Sequence, residues 1–311
     1  MVRIVVATAA QGSTERWHRA LQDALPQHDV RAWQAGDAPV GAQYAVVWSP
    51  PDALFQVERE LKAVFNLGAG VDGVMALPSL PPQLPVLRLE DAGMAPQMAE
   101  YVIHHLAWLS RGLETYAKQQ RAAQWAPLPA IRYDEWPVGV MGLGQLGAHV
   151  ARAVAALGYP VAGWARSPHT LQGVSTYAGD DQLGAFLART RVLVNLLPLT
   201  PQTTGIIDAA LLRQLRPEAV VINIARGAHV VDADLLAALD AGHVQAAVLD
   251  VFNQEPLPSD HPYWAHPRVR VTPHVAAATL EDDALRQIVE RIERLERGEA
   301  VSGVVNRATG Y

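Results

Sequence analysis

Three side chains of the kind that can move a proton and hold an anion recur in the second half of the chain, each shortly after an apolar run. Arg226 follows Val221-Ile222-Asn223-Ile224-Ala225, Glu255 follows Asp250-Val251-Phe252-Asn253-Gln254, and His274 follows Val271-Thr272-Pro273. A histidine, titrating at about pH 6.5 when unperturbed, gives and takes a proton near neutrality. A carboxylate against one ring nitrogen fixes the tautomer and leaves the other nitrogen for the reaction. A guanidinium offers a planar fork of donors that a lysine cannot. Together the three suit a reaction in which an oxygen gains negative charge while a proton is delivered to it. Taken singly, each is more often a solvated loop residue or half of a structural ion pair, so the set carries the reading.

The elements around Gly142-Leu143-Gly144-Gln145-Leu146-Gly147 supply a partner for that chemistry. This turn lies between an apolar strand, Val138–Met141, and a helical pattern from Ala148 to Leu157, with a second strand at Val161–Trp164. That is the context of a dinucleotide-binding fingerprint. Gly142 permits the tight turn, Gly144 lets the backbone approach a pyrophosphate, and Gly147 lets the helix sit close on the strand. An NAD site places an acid about 20 residues on, against the ribose 2′-hydroxyl. Here Ala165 occupies that place, and Arg166 and Ser167 offer a cation and a hydroxyl to a 2′-phosphate. The expected cofactor is NADP(H), with NAD(H) as a second choice.

An α/β alternation fills the chain. Strands are expected at Ile4–Ala7, Tyr44–Trp48 and Ala63–Leu67, with helices at Glu15–Leu25 and Pro51–Glu60. One long helix is expected from about Met94 to Gln120. After the glycine turn come helices Asp181–Ala188, Ala209–Leu215 and Asp232–Ala241, alternating with strands Val192–Leu196, Ala219–Ile224, Gln245–Leu249 and Val269–Val271. Helices spaced this way imply parallel strands covered on both faces. The final helix, Thr279 to Arg297, is too little for a third domain and is expected to return to the first lobe. The expected fold is therefore two Rossmann-like doubly wound parallel-sheet domains: residues 1–99 with 280–311 as a discontinuous, flavodoxin-like substrate-binding domain, and 100–279 as the NAD(P)-binding domain. Hinges are expected near Ala95–Glu100 and Ala276–Thr279, with a cleft between the lobes at the strands' carboxyl ends.

Composition narrows the partners. Among 311 residues, 25 basic and 31 acidic side chains give a net charge of −6, which gives no electrostatic reason to expect nucleic acid. The chain has no cysteine, which excludes thiolate catalysis, disulfides and cysteine metal sites and fits a cytoplasmic location. No run approaches a membrane span. No metal site is expected: His104 and His105 are adjacent on a helix and face different ways, so they read as interface or capping residues. The charged run Arg286 to Glu299 reads as a solvated helix face with pairs such as Glu290–Arg294 and Glu293–Arg297.

The order of these motifs (the glycine turn, Ala225-Arg226-Gly227, Asp250-Val251-Phe252-Asn253-Gln254-Glu255-Pro256, Thr272-Pro273-His274) resembles the NAD(P)-dependent D-2-hydroxyacid dehydrogenases. Within that family the chain is most similar to the glyoxylate/hydroxypyruvate reductase A type, through Val47-Trp48-Ser49-Pro50-Pro51, Leu67-Gly68-Ala69-Gly70-Val71-Asp72, Arg88-Leu89-Glu90-Asp91-Ala92-Gly93-Met94 and Gly303-Val304-Val305-Asn306-Arg307. The resemblance implies an NADPH-preferring reductase of small 2-keto acids such as glyoxylate and hydroxypyruvate. His274 is then the general acid, Glu255 its orienting carboxylate, and Arg226 the cation on the substrate carboxylate.

By the same resemblance Leu197, Pro198, Thr203, Ile224, Ala225, Asp250 and Ala276 join the glycine turn, Arg166, Ser167, Arg226 and His274 as cofactor contacts, Asp250 near the nicotinamide carboxamide. Gly68, Ala69 and Gly70 would bring backbone N–H groups to the substrate carboxylate, helped by a helix beginning at Val71–Met75. Trp48 would wall the substrate side chain, or else be core. A homodimer packed through Met94 to Arg111 is also implied. Two alternatives keep the fold: a larger 2-keto acid substrate, and a non-catalytic protein that senses a dinucleotide.

Overall fold

The computed structural model describes residues 1–311. In chain order the strands are β1 (Arg3–Thr8), β2 (Asp29–Ala32), β3 (Tyr44–Trp48), β4 (Ala63–Asn66), β5 (Val86–Leu87), β6 (Val138–Met141), β7 (Val161–Ala165), β8 (Ser175–Ala178), β9 (Val192–Asn195), β10 (Ala219–Asn223), β11 (Val244–Leu249) and β12 (Val269–Val271). The helices are α1 (Gln11–Ala24), α2 (Ala53–Val57), α3 (Asp72–Met75), α4 (Met94–Ser110), α5 (Leu113–Arg121), α6 (Gln145–Ala156), α7 (Asp180–Ala188), α8 (Ala209–Leu212), α9 (Asp232–Asp240) and α10 (Glu281–Glu296). They form two compact units, Met1–Gly93 with Thr279–Tyr311, and Met94–Ala278.

The first unit holds a five-stranded parallel sheet in the order β2-β1-β3-β4-β5. Its central strands are continuous runs of Val, Ile, Ala and Phe with both faces covered, as parallel pairing requires. The C-terminal helix α10 belongs to this unit. Its one buried cation, Arg291, donates to Arg88 O at 2.7 Å and to Glu90 at 2.7 Å. Tyr44 Oη donates to Glu296 at 2.7 Å. The expected Glu290–Arg294 pair forms at 3.8 Å, whereas Arg297 turns to Glu299 at 2.6 Å. Exposed pairs of this kind contribute about 0–1 kcal/mol, so the helix is held by Ala284, Ile288, Arg291 and Ile292.

The second unit holds a seven-stranded parallel sheet, β12-β11-β10-β9-β6-β7-β8. One core packs α4 and α6 on one face through Val102, Leu106, Val150 and Val154. The other packs α7, α8 and α9 through Phe186, Leu187, Leu211, Leu235 and Leu239. From β6 the chain runs outward to β7 and β8 on one side, then returns to build β9 to β12 on the other. The switch point lies between β6 and β9, the place where open α/β sheets leave a crevice for ligands.

Several expected boundaries are corrected. The helix expected over Met94 to Gln120 is two helices, because Gly112 takes a left-handed φ of 62° and caps α5. The helix expected over Pro51–Glu60 is only α2, since Glu58 leaves helical geometry and its buried carboxylate accepts the N–H groups of Val40 and Ala42 at 2.8 and 2.9 Å. α8 is shorter than expected and is capped by Asp208, whose Oδ1 accepts from Leu211 N at 2.8 Å. Three strands went unforeseen: β2 and β8 are polar edge strands, and β5 is two residues long.

Candidate active site

The glycine turn is built by close contacts. Gly142 has φ 95°, and a Cβ there would stand 2.6 Å from Leu196 O, so the turn after β6 lies against the end of β9. A Cβ on Gly147 would overlap Gly142 O, which fixes how closely α6 sits on the turn. Gly144 is the opposite case: it is the N-cap of α6, and a Cβ on it would meet nothing within 4 Å. The first helical N–H groups after Gly144 have no intrahelical acceptor, and Gly144 leaves open space before them. The residues thus fit a dinucleotide pyrophosphate. Leu143 is buried, its side chain packed so closely on Gly163 that a Cβ there would collide with it. Gln145 is exposed and Leu146 half-buried. At the end of β7, Ala165 is buried and Arg166 and Ser167 are exposed.

Arg226, Glu255 and His274 follow β10, β11 and β12, three neighbouring strands, at their carboxyl edge. His274 Nδ1 lies 2.8 Å from Glu255 Oε2, and Glu255 Oε1 accepts from Phe252 N at 2.9 Å. The carboxylate therefore ties the loop after β11 to the ring after β12. Gly227 lies against the backbone of Phe252 and Asn253, so the turn carrying Arg226 abuts the loop carrying Glu255. Arg226 is half-buried, with extended backbone, and its Nη1 donates to Ala225 O at 2.7 Å.

His274 has φ 55°, a left-handed backbone that costs a non-glycine residue on the order of 1 kcal/mol or more. Asp250 holds it there. Its backbone O accepts from His274 N at 2.8 Å, while its carboxylate accepts from Thr272 Oγ1 at 2.6 Å, Val275 N at 2.8 Å and Ala276 N at 2.9 Å. Since Thr272 donates to Asp250, Tyr101 Oη donates to Thr272 Oγ1, at 2.6 Å. Burial pushes the Tyr101 pKa up to about 12, and the Asp250 charge adds to the rise. Asp250 is thus a buried clamp on residues 272–276. Ile224, Ala225 and Ala276 are likewise buried. After β9, Leu197 is buried, Pro198 half-buried, and Thr203 Oγ1 donates to Pro198 O at 2.7 Å.

In the first unit, Trp48 ends β3 with 42% of its surface exposed, which removes it from the core. Its ring covers Gly68 so closely that a Cβ there would overlap it. Asn66 Nδ2 donates to Gly68 O at 3.0 Å and Gly70 O at 2.9 Å. Because a trans peptide sets N–H opposite C=O, the N–H groups of Ala69 and Val71 point away from Asn66. The expected helix at Val71 is only the four-residue α3, too short to add a dipole.

Sequence reasoning passed over Tyr101 and Thr272, and also Asn195, Asn223 and His229, which have no exposed surface. Asparagine at the end of two apolar strands, β9 and β10, was the available signal. No group of three or more His, Asp or Glu side chains could hold a metal ion, and no helix is long and apolar enough to cross a membrane.

The family described as D-isomer specific 2-hydroxyacid dehydrogenase, NAD binding domain, matches residues 103–276, and the chain belongs to the D-isomer-specific 2-hydroxyacid dehydrogenases. Among its relatives, the glyoxylate/hydroxypyruvate reductase A of Klebsiella pneumoniae (strain 342) is 50% identical over 303 residues, 96% of each chain. That of Escherichia fergusonii is 47% identical over the same share. A D-isomer-specific 2-hydroxyacid dehydrogenase of Xanthobacter autotrophicus Py2, solved with NADPH and MES, superposes with a TM-score of 0.92 at 41% identity, covering 100% of this chain and 99% of that one. The NADPH-dependent glyoxylate/hydroxypyruvate reductase of Sinorhizobium meliloti, solved with NADP and sulfate, gives 0.92 at 37% identity with full coverage of both.

Proposed function

We propose that this chain is an NADPH-preferring reductase of small 2-keto acids, taking glyoxylate to glycolate and hydroxypyruvate to D-glycerate. The observation that carries the reading is the His274–Glu255 contact of 2.8 Å beside the turn of Arg226, in a unit that also bears the glycine turn. The relatives solved with NADPH or NADP support the choice of cofactor.

The second unit is the cofactor-binding domain in this reading, and the first the substrate-binding domain. Gly142 to Gly147 and the start of α6 hold the pyrophosphate; Arg166 and Ser167 take the 2′-phosphate; Leu197, Pro198, Thr203, Ile224, Ala225 and Ala276 line the nicotinamide end. Bound there, the reduced nicotinamide supplies the hydride for the carbonyl carbon. His274 gives the proton from Nε2 to the carbonyl oxygen, its ring oriented by Glu255 on Nδ1. Arg226 binds the substrate carboxylate with its fork and stabilises charge growing on the carbonyl oxygen. The N–H groups of Ala69 and Val71 give the carboxylate further donors, and Trp48 limits the side chain admitted. Asp250 keeps the His274 loop in place from beneath.

We also propose a cytoplasmic homodimer. Trp125, on the segment after α5, is 98% exposed, a large apolar side chain that a second copy would cover. Sedimentation of the wild type and of a Trp125→Ser variant reads this directly.

Initial rates of NADPH and NADH oxidation, followed by absorbance with glyoxylate, hydroxypyruvate and pyruvate, test the activity. Rapid NADPH-dependent turnover of glyoxylate and hydroxypyruvate is expected. Turnover only of a larger 2-keto acid overturns the substrate assignment, and cofactor binding without any turnover favours the sensing alternative.

A further inference from the structure

Two hydrogen-bonding chains meet at one buried histidine beneath the turns after β9 and β10. The register pairs Asn195 with Asn223 at the ends of these strands, and His229 lies between the turns that follow them. The backbone fixes every orientation. Leu197 N–H can only donate, so the atom of Asn195 that it meets at 3.2 Å is Oδ1. Asn195 Nδ2 is therefore the donor that faces Asn223 at 3.0 Å and His229 Nδ1 at 2.9 Å. The atom of Asn223 that accepts it also accepts Ala225 N–H at 3.3 Å, so it is Oδ1, and Asn223 Nδ2 donates to Arg226 O at 2.9 Å. His229 Nδ1 consequently accepts, its ring proton sits on Nε2, and Nε2 donates to Pro198 O at 3.3 Å.

The three side chains are fully buried, where a lost partner strands a polar group and costs more than the bond itself is worth. One arm runs from His229 Nδ1 through Asn195 and Asn223 to the backbone of Arg226. The other runs from His229 Nε2 to Pro198, whose carbonyl also holds Thr203.

We infer that His229 is a positioning residue that sets the Arg226 turn against the Leu197-Pro198 turn, its Nδ1 acting on substrate binding and its Nε2 on cofactor binding. The inference rests on the roles proposed above for Arg226 and Pro198. A residue that merely filled the core would affect both turns together, in step with stability.

Two variants separate the arms. H229N keeps an acceptor at the Nδ1 place and loses the reach to Pro198, while H229Q keeps a donor at the Nε2 place and loses the acceptor toward Asn195. The experiment measures NADPH Kd by fluorescence titration, KM for glyoxylate at saturating NADPH, and Tm, for wild type, H229N, H229Q and H229L. H229N is expected to raise the NADPH Kd roughly five- to tenfold with KM within about twofold, H229Q to do the reverse, and H229L to raise both; these are the scale of one displaced buried hydrogen bond. Equal movement of Kd and KM in H229N and H229Q, following Tm, overturns the inference, as does wild-type Kd and KM in both. If the wild type binds NADPH yet reduces no keto acid, the substrate reading fails, and the Kd contrast between H229N and H229Q still decides the role of Nε2.

Discussion

His274 Nδ1 and Glu255 Oε2 are 2.8 Å apart, and the other oxygen of Glu255 is held by Phe252 N–H, so one carboxylate joins the loops that follow two neighbouring strands. The ring is thereby aimed by the backbone of β11's loop as well as by its own. We predict that His274→Gln lowers kcat by about 10²- to 10⁴-fold while NADPH Kd stays near wild type. Retention of most of the wild-type rate would remove His274 as the proton donor.

Arg226→Lys keeps the charge and loses the fork. We expect kcat/KM for glyoxylate to fall on the order of tenfold to hundredfold, with Tm little changed, because the residue is only half-buried and its backbone anchor from Asn223 persists. An unchanged kcat/KM would mean that the substrate carboxylate is held elsewhere.

The two glycines of the turn are predicted to fail differently. In Gly147→Ala the new methyl overlaps Gly142 O, so α6 must move and stability should fall by about 1–3 kcal/mol, typical of core overpacking, with a lower Tm. In Gly144→Ala the methyl meets no protein atom and φ is −65°, so Tm should hold while NADPH binding weakens. Thermal melts with and without NADPH separate the two; a Gly144→Ala protein that binds NADPH normally would place the pyrophosphate somewhere else.

Ala165 is buried at the end of β7, so no carboxylate stands there to repel a 2′-phosphate, and Arg166, exposed beside Ser167, is the cation proposed to take it. We predict that Arg166→Ala raises the KM for NADPH about tenfold or more and leaves that for NADH almost unmoved, the scale of a lost charge-assisted hydrogen bond. A parallel rise for both cofactors contradicts this reading.

His105 is buried on α4, its Nδ1 has no hydrogen-bond partner, and burial lowers its pKa from 6.5 to about 4, with the nearby His104 and Arg270 adding to the effect. The unfolded chain therefore binds a proton between pH 6.5 and 4 that the folded protein refuses. Stability from this residue is present above pH 6.5 and lost as pH falls toward 4. Melts across that range should show a fall in Tm that is shallower in His105→Phe; identical slopes would refute the assignment.

Much of this was legible in the residues. Buried parallel strands are continuous apolar runs, so β3, β4, β6, β9 and β10 declare themselves, and the glycine turn and the three strand-end side chains keep their order wherever the loops wander. β8, Ser175–Ala178, carries no such run, because an edge strand is covered less and tolerates polar side chains. Gly112 looked compatible with a continuous helix, since a glycine's φ is not written in its neighbours. Asp250 reads as a candidate ligand contact, and only the fold shows it facing inward to Thr272, Val275 and Ala276. His229 is invisible for the same reason: its partners, Asn195 and Pro198, are about thirty residues away in sequence.

The return of residues 279–311 to the first unit has a consequence for biosynthesis. Met94–Ala278 is contiguous and can fold as soon as it has emerged from the ribosome, whereas Met1–Gly93 emerges first and waits for Arg291 to reach Arg88 and Glu90. The order of folding is thus predicted to reverse the order of synthesis. A nascent chain arrested just after Ala278 has cleared the exit tunnel should resist protease over its recently made part and be cut in its oldest.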